Sequence, residues 1–295
     1  FGNGQMTSVL NRITEEHIHS DPFPYLTTTE ALEPSYYESL AAHYPDLPNI
    51  IRMRGNDEAR QQLSKNNKLI HMNGPDALAF GISIDPLWRD FFRFHTSNDF
   101  FRQIIAHLGD GIRGSYPDLE QRLGKSLDEL TVQPRYAEDQ GADIRIEIQF
   151  AFNTPVREAS RVRSLHVDNP RKLFAGLFYM RASEDDSIGG DLEICRWREE
   201  PLFKNPYIPD HQIENTHVQD HQVDLVNTVK YRANTLLIFV NSPFTVHGVT
   251  ERQPTPHIRR YINIIAEFCK PLYDFEQYQE NPKPWALMMG GAEKS

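Results

Sequence analysis

"DIRIEIQFAF", residues 143–152, alternates without a fault. Ile144, Ile146, Ile148, Phe150 and Phe152 fall on one side of it; Arg145, Glu147 and Gln149 fall on the other. Period two marks a β-strand with one face on a core and one polar face. Gln149 then stands either in solvent or in the wall of a pocket. Further strand candidates follow, rich in β-branched and aromatic residues: "RVRSLHVD", "KLFAGLFYM", "DLEICRW", "VNTVKYRA", "NTLLIFVN" and "RRYINIIAEF". Gly189-Gly190, inside "DDSIGGD", suits a tight hairpin turn. No helix follows that pair, so it is not a phosphate cradle.

Upstream of about residue 130 the period changes to that of helices. "EALEPSYYESLAAHYP" spaces Leu32, Tyr36, Leu40 and Tyr44 four apart and stops at Pro45. "DEARQQLSKNNKLI" reads as a more polar helix. "SNDFFRQIIAHLGDGI" has a Ser97 or Asn98 cap, apolar Phe100, Phe101, Ile104, Ile105 and Leu108, and Gly109 to end it. "YPDLEQRLGKSLDEL" is a further short helix. Helices followed by about seven strands predict an α+β fold, a jelly roll with N-terminal helices packed on one sheet. Residues 6–142 form the helical part and 143–270 the core. A polar, lid-like insertion lies at about 198–225 and a tail at 271–295, all within one integrated domain.

Composition narrows the function. The 295 residues carry a formal charge of −10, which would repel a phosphate backbone, and no basic stripe with interleaved aromatics occurs. Nucleic acid is not an expected partner. No apolar run reaches membrane-spanning length, and no basic-then-apolar leader is present. "FGNGQM" reads as a tag remnant ahead of Met6. Two cysteines, Cys195 and Cys269, suit a reducing compartment, so a cytoplasmic location is expected.

Two H-x-D triplets occur, although one is expected by chance roughly once in a chain of this composition. His19-Ser20-Asp21 runs into the Pro-rich "PFPY", with no strand to present both side chains together. His166 and Asp168 end an alternating stretch, where positions i and i+2 point to the same side. A third ligand is available in His247, after the apolar strand "LLIFV", and Arg259 and Arg260 open the next strand. Two imidazoles and one carboxylate on one face of an octahedral metal leave three adjacent positions open, as in non-haem Fe(II) oxygenases. Two of these can chelate a 2-oxo acid and one can take O₂. An arginine in the next strand would pair with the distant carboxylate. His211, His217 and His221 in the insertion could imitate a second cluster; a solvated polar loop is the simpler account.

On "LHVDN" (165–169), "KLFAGLFYMR" (172–181), "GGDLEI" (189–194), "NTLLIFVNSPFTVHGV" (234–249), "RRYIN" (259–263) and the early "DPFPYLTTTEALEPSYYESL" (21–40), the chain resembles the Fe(II)/2-oxoglutarate-dependent dioxygenases, particularly their prolyl-4-hydroxylase-like branch. The resemblance covers most of residues 20–270. It implies a double-stranded β-helix, Fe(II) on His166, Asp168 and His247, 2-oxoglutarate as cosubstrate with O₂, and release of succinate and CO₂. The cation for 2-oxoglutarate carries over to Arg260 or Arg259. The family usually shows R-x-S, and neither register supplies the serine. Matching "RRYIN" favours Arg260, while polarity favours an inward face of Arg259, Tyr261 and Asn263; Arg260 is preferred. Tyr179 is a core residue or a cosubstrate contact, and Gln149 is a second candidate contact. Asp168 occupies the position that halogenating relatives leave to halide, so hydroxylation or desaturation of an sp³ carbon of a small molecule or peptide is expected. The competing classes are a catalytically silent jelly-roll binding protein and a cupin-type metalloenzyme that does not use 2-oxoglutarate.

Overall fold

The alternating stretch becomes strand β5, Ile144–Asn153, and the first consequence of its pattern is a helix-covered sheet. The computed structural model describes residues 7–54, 57–73, 84–203 and 216–278. The strands are β1 (Ile18–His19), β2 (Tyr25–Thr28), β3 (Leu69–Asn73), β4 (Val132–Pro134), β5, β6 (His166–Val167), β7 (Lys172–Tyr179), β8 (Leu192–Trp197), β9 (Thr216–His217), β10 (Val223–Val229), β11 (Leu236–Val240), β12 (Val246–Val249) and β13 (Arg259–Phe268). Among the described residues they form an eight-stranded sheet, ordered β1-β2-β11-β7-β13-β5-β3 with β4 beside β5, and a five-stranded sheet, ordered β10-β8-β12-β6-β9. From β5 to β8 the chain changes sheet at every strand, and from β10 to β13 it does so again.

The larger sheet has two unlike faces. Ile144, Ile146, Ile148, Phe150 and Phe152 of β5 and Ile262, Ile264, Ala266 and Phe268 of β13 pack in one core with helical residues. The helices Pro86–His95 and Asn98–Ser115 supply Trp88, Phe91, Phe100, Ile104 and Leu108 to that core. Between the sheets lies a second core, with Ala151, Tyr179, Leu237 and Tyr261 from the larger sheet and Leu192, Ile194 and Val229 from the smaller.

Several expectations change. The helix expected around Tyr36 runs from Pro34 to Ala42 and buries Tyr37 and Leu40 rather than Tyr36. Gly109 does not end its helix, which continues to Ser115 under a Ser97 cap. Two residues later a glycine is needed for another reason: a Cβ at Gly111 would stand 2.5 Å from Pro24. Residues 69–73, placed in a helical region by the sequence, form β3, an edge strand on β5. Gly189-Gly190 is not a two-residue hairpin. Both have positive φ, 83° and 79°, and a Cβ on Gly189 would fall 1.8 Å from the Glu251 carbonyl oxygen. The pair lets one loop cross another at backbone contact.

The insertion proposed at 198–225 is shorter than expected, because β10 already begins at Val223 and β9 adds to the smaller sheet beside β6. Residues 204–215, with His211, lie outside the described residues. Phe203 packs on Trp197 and on Phe275 and Tyr278 from the tail, so the described part of this region is anchored to a core of its own. Residues 279–295 of the tail are likewise outside the described residues. Cys195 is buried and Cys269 exposed, both as free thiols.

Candidate active site

Strands β6 and β12 are antiparallel neighbours in which His166 is the register partner of His247. Their rings lie 4.3 Å apart, centroid to centroid. Asp168, two residues beyond His166, brings Oδ1 to 3.5 Å from His166 Nε2. One ligand atom from each of the three residues fits within 4.8 Å of the others, and all three side chains are buried. Each imidazole is oriented through its other nitrogen. Nδ1 of His166 lies 2.8 Å from the Ser164 carbonyl, and Nδ1 of His247 lies 3.1 Å from the Thr245 carbonyl. A carbonyl can only accept, so Nδ1 carries the proton and each Nε2 presents a lone pair, that of His166 accepting a long hydrogen bond (3.5 Å) from Arg163 Nε.

Electrostatics prepare the same state. Burial, and then His166, push His247 down to about 3, and burial lowers His166 as well, so both are neutral ligands at pH 7. Burial by itself would raise Asp168, but Lys172 and the two histidines together hold its carboxyl well below the usual range. Lys172 Nζ sits 3.0 Å from Oδ2, which leaves Oδ1 on the histidine side. This donor set of two imidazoles and one carboxylate suits Fe(II).

The other H-x-D pair is pulled apart. His19 stacks on Tyr25, and Asp21 forms an ion pair with Arg196. His217 is exposed and bonded to the Ser164 hydroxyl, and among the described residues neither it nor His221 belongs to a potential metal group.

A cavity of about 360 Å³ contains the three ligands and extends along the inner faces of β5 and β13. Register decides between the two arginines. Arg259, opposite Asn153 in the ladder, lines this cavity together with Tyr261, Asn263, Ile265 and Glu267. Arg260 points to the other face, where its Nε donates to the Met180 carbonyl and its guanidinium lies over Tyr44. The preference for Arg260 is therefore corrected: alternation along β13 puts it beneath the helices and its neighbour inside.

Arg259 is 1% exposed. Its Nε donates to the Gly190 carbonyl (2.9 Å) and its Nη1 to Asn153 Oδ1 (3.1 Å). The rings of Tyr179, Tyr231 and Tyr261 surround it at 4.5–5.0 Å. Among the described residues no carboxylate reaches ion-pair distance. Arg259 Nη2, the Tyr179 hydroxyl and Asn153 Nδ2 are buried without a well-formed hydrogen bond. Burial, opposed by Arg259, raises the Tyr179 phenol to about 12, so it remains a donor. Nearby Arg252 is also buried and bonded only to neutral oxygens of Asn67, Thr154 and His257. Burial, and then Arg259, lower it to about 10. The unused donors of Arg259 and Tyr179 fit an anion, and a carboxylate accepts two such donors side by side.

Gln149 faces the cavity, but its amide is committed to Glu147 Oε1 (2.6 Å) and to Asn263 (3.1 Å), two rungs along the ladder from Asn153. Asn153, Lys172 and Tyr231 were not singled out from the sequence. Asn153 lies four residues beyond Gln149 on the same side of β5, and Tyr231, within the strand candidate "VNTVKYRA", lies two residues past the end of β10.

No protein-family model matches the chain, and no curated protein sequence matches it. Among solved structures, the chain is similar to a prolyl 4-hydroxylase from Phytophthora capsici at 14% identity and a TM-score of 0.44, over 90% of this chain and 65% of that one. It is similar to a prolyl-4-hydroxylase from Pseudomonas putida at 12% identity and a TM-score of 0.39, over 83% and 93% of the two chains. HygX from Streptomyces hygroscopicus, solved with nickel and 2-oxoglutarate, is similar at 14% identity and a TM-score of 0.38, over 83% and 82%. No described helix is long and apolar enough to cross a membrane.

Proposed function

We propose that this chain is a non-haem Fe(II)- and 2-oxoglutarate-dependent oxygenase that hydroxylates or desaturates an sp³ carbon of a small molecule or peptide. The observation that carries the reading is one cavity holding both a buried His-Asp-His ligand set, its imidazoles protonated on Nδ1, and a buried guanidinium with no carboxylate partner among the described residues. The sheet-to-sheet alternation of β5 to β8 and β10 to β13 supports a double-stranded β-helix.

His166, Asp168 and His247 would hold the iron, with Lys172 occupying Oδ2 so that Oδ1 is the ligand atom. Arg259 Nη2 and the Tyr179 hydroxyl would receive the 5-carboxylate of 2-oxoglutarate, and the tyrosine rings around Arg259 keep water from that ion pair. When bound, iron and cosubstrate supply the oxidation: O₂ is consumed, 2-oxoglutarate becomes succinate and CO₂, and one oxygen atom enters the product alcohol or leaves as water in a desaturation. The protein places the C–H bond beside the metal and limits solvent access. Asp168 fills the position a halide would need.

Anaerobic addition of Fe(II) and 2-oxoglutarate to the metal-free protein tests the reading. A visible metal-to-ligand charge-transfer band is expected, followed by succinate release on admitting air. A protein that binds iron and shows no such band with 2-oxoglutarate would be a different metalloprotein.

A further inference from the structure

Four cationic side chains line the cavity: Arg135, Arg163, Lys172 and Arg259. Arg135 is shared between Glu147 (3.0 Å) and Glu267 (3.2 Å), and Lys172 is held by Asp168. Arg259 is assigned above to the cosubstrate. Arg163 remains. It is exposed, three residues before the first metal ligand, and its Nε donates a long hydrogen bond (3.5 Å) to His166 Nε2, which leaves its terminal nitrogens for another partner. Among the described residues no carboxylate lies within ion-pair distance of it, in a chain whose formal charge is −10. The far wall cannot take an anion, since Glu147 and Glu267 already exceed their one shared cation.

Resting on the proposed function, we infer that Arg163 receives a carboxylate of the substrate, so that the molecule oxidised is a small organic acid. A guanidinium at the exposed, metal-proximal end of the cavity can anchor such an acid bidentately and hold a carbon a few bonds away beside the metal. The cosubstrate also carries a carboxylate near the metal. Its two ends, however, are already provided for by the metal's open positions and by Arg259, and exposure places Arg163 where a second molecule enters.

The test uses the iron-loaded full chain with 2-oxoglutarate and measures succinate. The probes are the proteinogenic α-amino acids and saturated four- to six-carbon acids, each beside its methyl amide. At least one acid should accelerate succinate release about tenfold while its amide does not. Arg163→Gln should raise KM for that acid roughly 10- to 100-fold, with the 2-oxoglutarate KM changed less than about twofold, and Arg163→Lys should recover part of the loss. Equal stimulation by acid and amide would overturn the inference, as would no stimulation by any acid despite a charge-transfer band. A rise in the 2-oxoglutarate KM instead would assign Arg163 to the cosubstrate and overturn it too. Absence of the band in the unmodified protein would remove the proposed function itself, and this inference with it.

Discussion

The two faces of β5 and β13 are built from the same two segments of chain and do opposite work. Outward, toward the helices, stand Ile144, Ile146, Ile148, Phe150 and Phe152 with Ile262 and Ile264, apolar and fully packed. Inward stand Glu147, Gln149, Asn153, Arg259 and Tyr261, buried but polar, with half-buried Asn263 and Glu267. A buried polar face is costly unless its groups are paired. Glu147, Gln149 and Asn263 satisfy one another. At the Arg259 end the pairing stops: Arg259 Nη2, the Tyr179 hydroxyl and Asn153 Nδ2 have no well-formed hydrogen bond, and the proposed function gives this place to a carboxylate. The difference between the faces therefore separates residues that make the fold stable from residues that wait for a ligand.

The largest effect should come from the metal ligands. His247→Ala is expected to abolish the charge-transfer band and succinate release while costing the metal-free protein only the ring's contacts with Phe239 and His166. Fe(II) or Co(II) added anaerobically should raise the melting temperature of the unmodified protein, by about 2.7 kcal/mol of stabilisation at a hundredfold excess over Kd, and should not do so for the variant. Differential scanning fluorimetry reads both outcomes. An intact band in the variant would place the metal elsewhere.

Next, the outer face should respond more strongly in stability than the inner face. Phe150 is fully buried against Tyr44, Trp88 and Phe92. Phe150→Ala should cost about 3–5 kcal/mol in urea unfolding. Gln149→Ala, its neighbour on the other face, should cost about 1–2 kcal/mol, that of removing one member of a hydrogen-bonded network. Equal losses would mean that the inner face is also primarily structural.

The alternation of β5 was legible in the sequence because both of its faces follow period two over ten residues. The same argument of period identified His166 and Asp168 as a same-side pair. Where the pattern is short or the local rule has a competitor, the reading failed. β3 is an edge strand of five residues, "LIHMN", too brief to establish a period beside a polar helix. Gly109 looked like a helix stop, yet the tertiary packing of Asn98–Ser115 carries the helix past three glycines. For Arg259 and Arg260 the family's spacing and the polarity of the strand point to different residues, and the period of β13 places Arg259, Tyr261 and Asn263 on the cavity side. The insertion offered no period at all, and its part in the smaller sheet depends on β6, a partner distant in sequence.

A buried histidine outside the cavity gives a pH test of the outer core. His95 Nδ1 donates to the Phe91 carbonyl at 2.7 Å, and its Nε2 accepts from the Val9 amide at 3.1 Å. Burial, against the Phe91 hydrogen bond, lowers it to about 4. The folded value lies below the unfolded one of about 6.5, so the neutral form is favoured by folding. Stability from this group is fully present above pH 6.5 and is lost as pH falls toward 4, about 3 kcal/mol in all. Urea unfolding of the protein and of His95→Gln at pH 7.5, 5.5 and 4.5 should show the gap between them closing as pH falls. A constant gap would mean that folding does not lower the His95 pKa.

The finest test divides adjacent residues. Arg259→Leu should raise the 2-oxoglutarate requirement roughly 10- to 100-fold, the loss of a charge-assisted pair to a buried carboxylate, while metal affinity stays nearly unchanged. Arg260→Leu should leave that requirement within about twofold. Its own cost belongs to the outer face, where it loses a hydrogen bond to Met180 and its place over Tyr44, about 1 kcal/mol in unfolding. The two substitutions remove the same charge one residue apart, so net charge and long-range field change alike in both. Any difference in cosubstrate affinity must therefore come from which side of the sheet the guanidinium occupies. If both variants weakened 2-oxoglutarate binding equally, the inward face would not be reading its carboxylate, and the unused donors around Arg259 would need another partner.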